Sequence, residues 1–409
     1  MANQIQFNAG TKPTRQYDID WLRIILIFSV FLFHIGMIFN SWDWHVKNDQ
    51  QYKELRYVMA FLHYWRMPLL FFISGVGTYY ALGIRSSAQY LKERAKRLVI
   101  PLMAGVFILV PVQVYIEKAS QFDSLIDFYP HMFEGIYPSG NFSWHHLWFI
   151  AYLFVMALFL SPFLSFVRSV RFRNFRTWLE KRVTRKLGLN LILIPLVLSQ
   201  LILRPFFETD THALVDDWAS FTFSFIFFVS GFVLLSSRII GEAIKDQRWW
   251  YLGESVLATT FMFLAPTLFS EGATTDIAWD YAAMVVSWSC SITAIGFARK
   301  HLNIDSSFRK LANEAIYPFY LLHQPIIVVL GYFMVQWNIA DGVKVLLITL
   351  SSFTLTVAIY WFLVRPFNVT RIIFGMKPKR SKEHAYEERK AILIPTSSIQ
   401  YPVSSDLVI

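Results

Sequence analysis

The chain reads as an all-α integral membrane protein, a bundle of about ten transmembrane helices with both termini cytoplasmic, and three observations predict this. Of its 409 residues, 55% are hydrophobic and only 16% charged, with a mean hydropathy of +0.41. That is more apolar surface than a soluble chain of this length has core to hide. Runs of about twenty apolar residues, the length that crosses the hydrocarbon core of a bilayer, recur at 21–39, 58–80, 98–116, 147–167, 189–207, 218–237, 250–269, 279–298, 313–336 and 343–364. The loops between these runs alternate in charge. Lys12 and Arg15, then Arg85 to Arg97, Arg168 to Lys186, Arg238 to Arg248, Arg299 to Lys310 and the tail from Arg365 are basic. The intervening loops are acidic, with Glu117, Asp123, Asp127 and Glu134, then Glu208, Asp210, Asp216 and Asp217, then Glu271, Asp276 and Asp280. The positive-inside rule places the basic set in the cytoplasm.

This topology organises the chain into a cytoplasmic segment over 1–20, a transmembrane domain over 21–366 and a cytoplasmic, flexible tail over 367–409. The net charge of +10 follows from the cytoplasmic loops, so the lipid bilayer is the expected partner and nucleic acid is not. Cys290 is the single cysteine, which excludes an intrachain disulfide and a Cys-based zinc site. No metal is expected. The polar N-terminus has no cleavable signal pattern, so the first apolar run is expected to remain as an anchor.

Taken in order, the apolar runs carry a short set of polar residues. The first holds Arg23 and, eleven residues later, His34. Eleven residues are almost three helical turns, so both lie on one face, about 16 Å apart along the axis. A charge near the middle of a bilayer segment costs at least ~2.5 kcal/mol, so it is kept for a purpose. The second run carries His63 and Arg66 one turn apart, Pro68, and the small residues Ser74, Gly75 and Gly77. Small residues admit a neighbouring backbone or a ligand chain. Arg94 and Arg97 follow at the cytoplasmic surface, three residues apart. Two guanidinium forks on one face suit a phosphate or pyrophosphate, and ordinary anchoring explains them equally well.

The fourth run opens on Trp144, His145, His146 and Trp148, either a sugar-stacking surface or an interfacial aromatic belt. Trp42 and Trp44 in the first outer loop have the same character. Positions 168–186 interleave Arg and Lys with Phe172, Phe175 and Trp178, as in a basic helix lying on the inner leaflet or a solvated loop. The ninth run carries Asn313, Glu314, Tyr317, Tyr320 and His323. Glu314 and Glu254 are the carboxylates placed to neutralise an intramembrane arginine.

Together these residues resemble acyltransferase family 3, the bacterial membrane-bound O-acyltransferases, over about residues 15–375. The most specific marks are the Arg, ten residues, then His of Arg23 and His34, and the Arg-x-x-Arg of Arg94 and Arg97. Weaker ones are Ile73-Ser74-Gly75, His146-Leu147-Trp148 and the stretch from Tyr320 through His323 to Pro325. Stretches 33–48 and 63–75 look most like the branch associated with succinylation of periplasmic glucans, while Val76 departs from the aromatic that commonly follows the Ser-Gly.

The resemblance implies an enzyme of the bacterial inner membrane that moves an acyl group, acetyl or succinyl, from cytoplasmic acyl-CoA to a hydroxyl of an extracytoplasmic glycan. Acyl-CoA would be a co-substrate and no cofactor would be bound. Arg94 and Arg97 would hold its phosphates, and Ser74 and Gly75 would line the path of the pantetheine arm. His34 would be the general base or would carry a covalent acyl group. Arg23 would join His34 as a catalytic residue, by binding the donor or holding a neighbouring helix. His63, Arg66, Trp144, His146 and His323 would orient the acceptor or the acyl group, with His63 and Arg66 suited to the free carboxylate of a succinyl donor. A proton-coupled secondary transporter of a glycan is the alternative; its expected signature, paired repeats in the two halves, is not visible in the sequence.

Overall fold

The computed structural model describes residues 15–84, 86–167, 169–207, 211–269 and 272–379. Lys12, Arg85, Arg168, Glu208, Asp210 and Glu271, and most of the expected N- and C-terminal segments, lie outside the described residues. Among those described, regular structure is helical apart from one isolated bridge between Ile136 and Phe142. Each predicted apolar run falls on a long helical element. These are α1 (Tyr17–Phe39), α2 (Leu55–Ile84), α3 (Ser87–Glu117), α4 (His145–Phe163), α6 (Gly188–Phe206), α7 (Trp218–Leu234), α8 (Arg238–Leu268), α9 (Ala273–His301), α10 (Ser307–Met334) and α11 (Asp341–Val364). The amphipathic α5 (Val170–Val183) and the short α12 (Asn368–Ile373) complete the set.

Seven of these helices are long and apolar enough to cross a membrane. The pair α7 and α8, bent by 111° at a short break, makes an eighth if taken as one span. The 30-residue α2 has the reach, about 45 Å at 1.5 Å per residue, and carries the polar residues His63 and Arg66. In α3 and α11 one turn widens into a π-helix, at Gly105–Leu109 and Tyr360–Val364. Such a turn re-phases the helix face, and α3 reaches it just after Pro101.

The centre of the bundle is α2, which packs against α1, α7 and α9. Its contact with α7 is backbone to backbone. A Cβ on Gly75 would lie 1.8 Å from the Phe228 carbonyl oxygen, and one on Gly231 would lie 1.9 Å from that of Phe72. The helices therefore interlock through two glycines, the small-residue packing expected where lipid supplies no hydrophobic drive. Gly75 thus faces a helix rather than an open channel, and Ser74 Oγ donates back to the Leu70 carbonyl at 2.8 Å.

Helices α1 and α10 run side by side and are tied at one end by ion pairs. Asp20 accepts from Arg309, which is fully buried, and from Arg15 at 2.7 Å. Arg309 also donates to Asp305 at 2.6 Å, and its guanidinium and Lys310 hold the Asp305 carboxyl below the usual range. A buried arginine between two carboxylates is compensated, whereas either partner alone would leave a costly charge. Glu314 pairs with Arg371 of α12 at 3.1 Å, and Glu254 accepts from Asn190 at 2.7 Å. On α5, Phe172 and Leu179 are buried while Phe175 and Trp178 are exposed and stacked at 5.9 Å.

Candidate functional site

Arg23 and His34 occupy two rungs of the same ladder. Arg23 Nη1 donates to Asn313 Oδ1 at 3.2 Å, and His34 Nδ1 lies 2.9 Å from His323 Nε2. The sequence separations of these pairs are 290 and 289, and that of Asp20 and Arg309 is also 289. A constant offset means that α1 and α10 are parallel and in fixed register. The eleven-residue step from Arg23 to His34 is therefore met by a ten-residue step from Asn313 to His323 on the facing helix. Arg23 does not reach His34; it braces the pair of helices that presents it.

The hydrogen bonds set the tautomers. His323 Nδ1 is 2.7 Å from the Tyr320 carbonyl and 3.2 Å from that of Phe319. Carbonyls only accept, so His323 Nδ1 carries the proton and its Nε2 is an acceptor. His34 Nδ1 therefore donates to His323, which leaves His34 Nε2 with its lone pair free. The rings stack at 5.1 Å with 11° between planes. His323 is fully buried and lies behind His34, which is half-buried and lines a cavity of about 560 Å³. Trp44 lies along His34, 6.0 Å away at 18°. An imidazole held in one tautomer, with its free nitrogen open and apolar rings around it, is equipped to take a proton from a bound hydroxyl.

The same cavity gathers residues that the sequence placed far apart. His63, Arg66 and Pro68 come from α2, His146 and Trp148 from α4, Gln200 and Arg204 from α6, Ser220 and Ser224 from α7, Asp280 and Ser287 from α9, and Tyr320 from α10. His146 Nε2 donates to the Leu321 carbonyl at 3.2 Å, while Tyr320 donates its hydroxyl to the His146 carbonyl. This reciprocal pair fastens the start of α4 to α10 one turn before His323. Trp148 packs on His212 at 4.3 Å. Trp144 is set back from the lining and donates to the His212 carbonyl at 3.1 Å.

A loop covers this end of α1. Lys47 Nζ donates to the carbonyls of Met37, Asn40 and Trp42 at 2.6 to 2.8 Å, which closes the loop over Trp44. His45 joins it to Glu117 at 2.6 Å. Burial and the neighbouring Glu117 push the Tyr137 phenol up, so it remains a donor to that carboxylate.

Arg94 and Arg97 lie outside the cavity lining, at the Arg23 end of the bundle. Arg94 Nη2 donates to Thr78 Oγ1 at 3.2 Å, and its charge acts on Arg23. Arg97 Nε donates to the Gly375 carbonyl at 3.3 Å. Ser74 and Gly75 also lie outside the lining. Among the described residues no three His, Cys, Asp or Glu side chains converge to hold a metal ion. The pairing of His323 with His34 went unread in the sequence, although the ten-residue spacing from Asn313 was a signal for it.

The profile of an acyltransferase domain family matches residues 16–365. Curated relatives include the glucans biosynthesis protein C of Escherichia coli O81 (strain ED1a) and that of strain K12. Each is 24% identical over 337 residues, covering 78% of this chain and 84% of the relative. The O157:H7 protein of the same name is 24% identical over 340 residues, with the same coverage. No solved structure matches the chain.

Proposed function

Since this chain belongs to the acyltransferase family matched over residues 16–365, we propose that it moves an acetyl or succinyl group from acyl-CoA to a hydroxyl of an extracytoplasmic glycan. It is a multi-pass membrane protein that transfers acyl groups; the donor, the acceptor and the bacterial inner membrane as its site belong to the proposal. The relatives' name, glucans biosynthesis protein C, favours a glucan acceptor. In this reading both termini and the Arg23 end of the bundle face the cytoplasm, and the His45 loop faces outward.

The observation that carries the reading is His34 Nε2, left as a free base at a cavity wall by the relay from the Tyr320 carbonyl through His323. The acceptor oxygen attacks the thioester carbonyl carbon while His34 Nε2 takes the hydroxyl proton. The carbon–sulfur bond then breaks, and the proton passes from His34 to the departing thiolate. No net proton is gained or lost. Arg94 and Arg97 hold the donor's phosphates at the opposite end, roughly the three helical turns from His34 that separate it from Arg23. A thioester on an extended pantetheine arm covers that span. His63, His146 and Trp148 line the space that the acceptor occupies, with Trp144 behind them.

The test is acyl transfer by the purified chain from acetyl-CoA and from succinyl-CoA to periplasmic glucan, beside a His34→Ala protein shown to fold by thermal shift. Transfer that disappears in the variant supports the reading. Full activity in the variant removes His34 as the base, and transfer from neither donor removes the reaction.

A further inference from the structure

Arg66 is 4% exposed on the cavity wall, which Asp280 also lines, and among the described residues its guanidinium makes no ion pair or hydrogen bond. Its Nε and Nη1 are enclosed with no hydrogen-bond partner among the described residues. Nη2 is not among the enclosed nitrogens of this cavity-lining residue, which leaves it as the donor available to a bound group. The Phe33 ring covers one face of the guanidinium, with its centroid 3.7 Å from Cζ, and the same ring lies 5.9 Å from His34. A buried, unpaired guanidinium is expensive to maintain. Its retention beside the base points to a negative charge that arrives during turnover. With a single nitrogen open, the site suits one anionic oxygen better than a carboxylate, which takes two parallel bonds from a full fork.

We propose that Arg66 is a catalytic residue whose Nη2 donates to the carbonyl oxygen of the thioester as it becomes an oxyanion. The inference rests on the acyl-transfer reading above. When the acceptor oxygen bonds to the carbonyl carbon, the π pair moves onto the carbonyl oxygen and the hydroxyl proton moves to His34. Arg66 stabilises that oxygen until the pair returns and the thiolate leaves. The Phe33 ring covers one face of the guanidinium, and a preorganised donor in a low-dielectric site acts more strongly on a developing charge than on a neutral carbonyl.

The experiment is steady-state transfer by full-length Arg66→Gln and Arg66→Lys proteins with acetyl-CoA and succinyl-CoA, beside wild type and His34→Ala. In Arg66→Gln, kcat is expected to fall about 10²–10³-fold with either donor while KM changes little. Methylguanidine added to Arg66→Ala is expected to restore part of the rate. A loss confined to the succinyl donor, or carried by KM, overturns the proposal in favour of a carboxylate site. Unchanged kcat overturns it, as does failure of both variants to fold, because the guanidinium then serves the bundle. Transfer that survives in Arg66→Gln and disappears in His34→Ala removes this proposal alone. A wild-type chain that transfers from neither donor removes both readings.

Discussion

At the scale of single residues, His323 decides which nitrogen of His34 can act. Removing its acceptor frees the His34 ring to adopt the other tautomer or to rotate. His323→Leu is expected to lower kcat about 10- to 100-fold with KM nearly kept, as general-base assistance is partly lost. His323→Gln offers Oε1 to the His34 Nδ1 proton and should recover much of that loss. Equal loss in both variants would mean that His323 acts by packing alone. His34 was legible in the sequence because an ionisable residue inside an apolar run is costly enough to stand out. Arg66 was legible as polar and as a neighbour of His63, but its lack of a bonded partner among the described residues depends on what every other helix brings to the cavity. That is a tertiary fact.

At the scale of elements, three rungs fix α1 against α10, and two glycines fix α2 against α7. Asp20→Asn leaves the buried Arg309 with Asp305 as its carboxylate, so it should cost about 1.5–3 kcal/mol, less than a fully uncompensated buried charge would. A melting temperature in detergent equal to that of the wild type would contradict this. Gly75→Ala and Gly231→Ala place a methyl group against a carbonyl and should each cost about 1–3 kcal/mol. Gly77, where a Cβ would meet nothing within 4 Å, should tolerate Ala; equal effects at all three positions would count against the packing account. The helices themselves were readable from apolar length, a local property, but α3 and α8 begin at Ser87 and Arg238, eleven and twelve residues before the apolar runs at 98 and 250, because their polar first turns are helical as well. The use of Ser74 and Gly75 was not, since a small residue looks the same whether a ligand or a carbonyl approaches it. Nor did the eleven-residue spacing disclose its meaning while only one side of the ladder was in view.

At the scale of the whole molecule, the ends differ in chemistry. One carries Arg94, Arg97 and the ion pairs around Arg309, and the other carries His45, Glu117 and the loop held by Lys47. Cys290 is buried, so the chain is already a background for thiol labelling. An impermeant maleimide should label Ile126→Cys in intact cells and Ile304→Cys only after the membrane is opened; both positions are well exposed. The reverse pattern would invert the topology. The constant offset of 289–290 residues also bears on biogenesis. During synthesis α1 enters the membrane with Asp20 and Arg23 paired only locally, with each other and with Arg15, and with His34 unmatched; the partners of all three on α10 are made only some 289 residues later. At ~5–20 residues per second, that wait is roughly 15–60 s. For that interval the first helix is a poorly satisfied guest in the lipid, dependent on the insertion machinery or on early neighbours such as α2. A chain that stops short of α10 never loses that mark, which gives quality control a means of telling an unfinished molecule from a complete one.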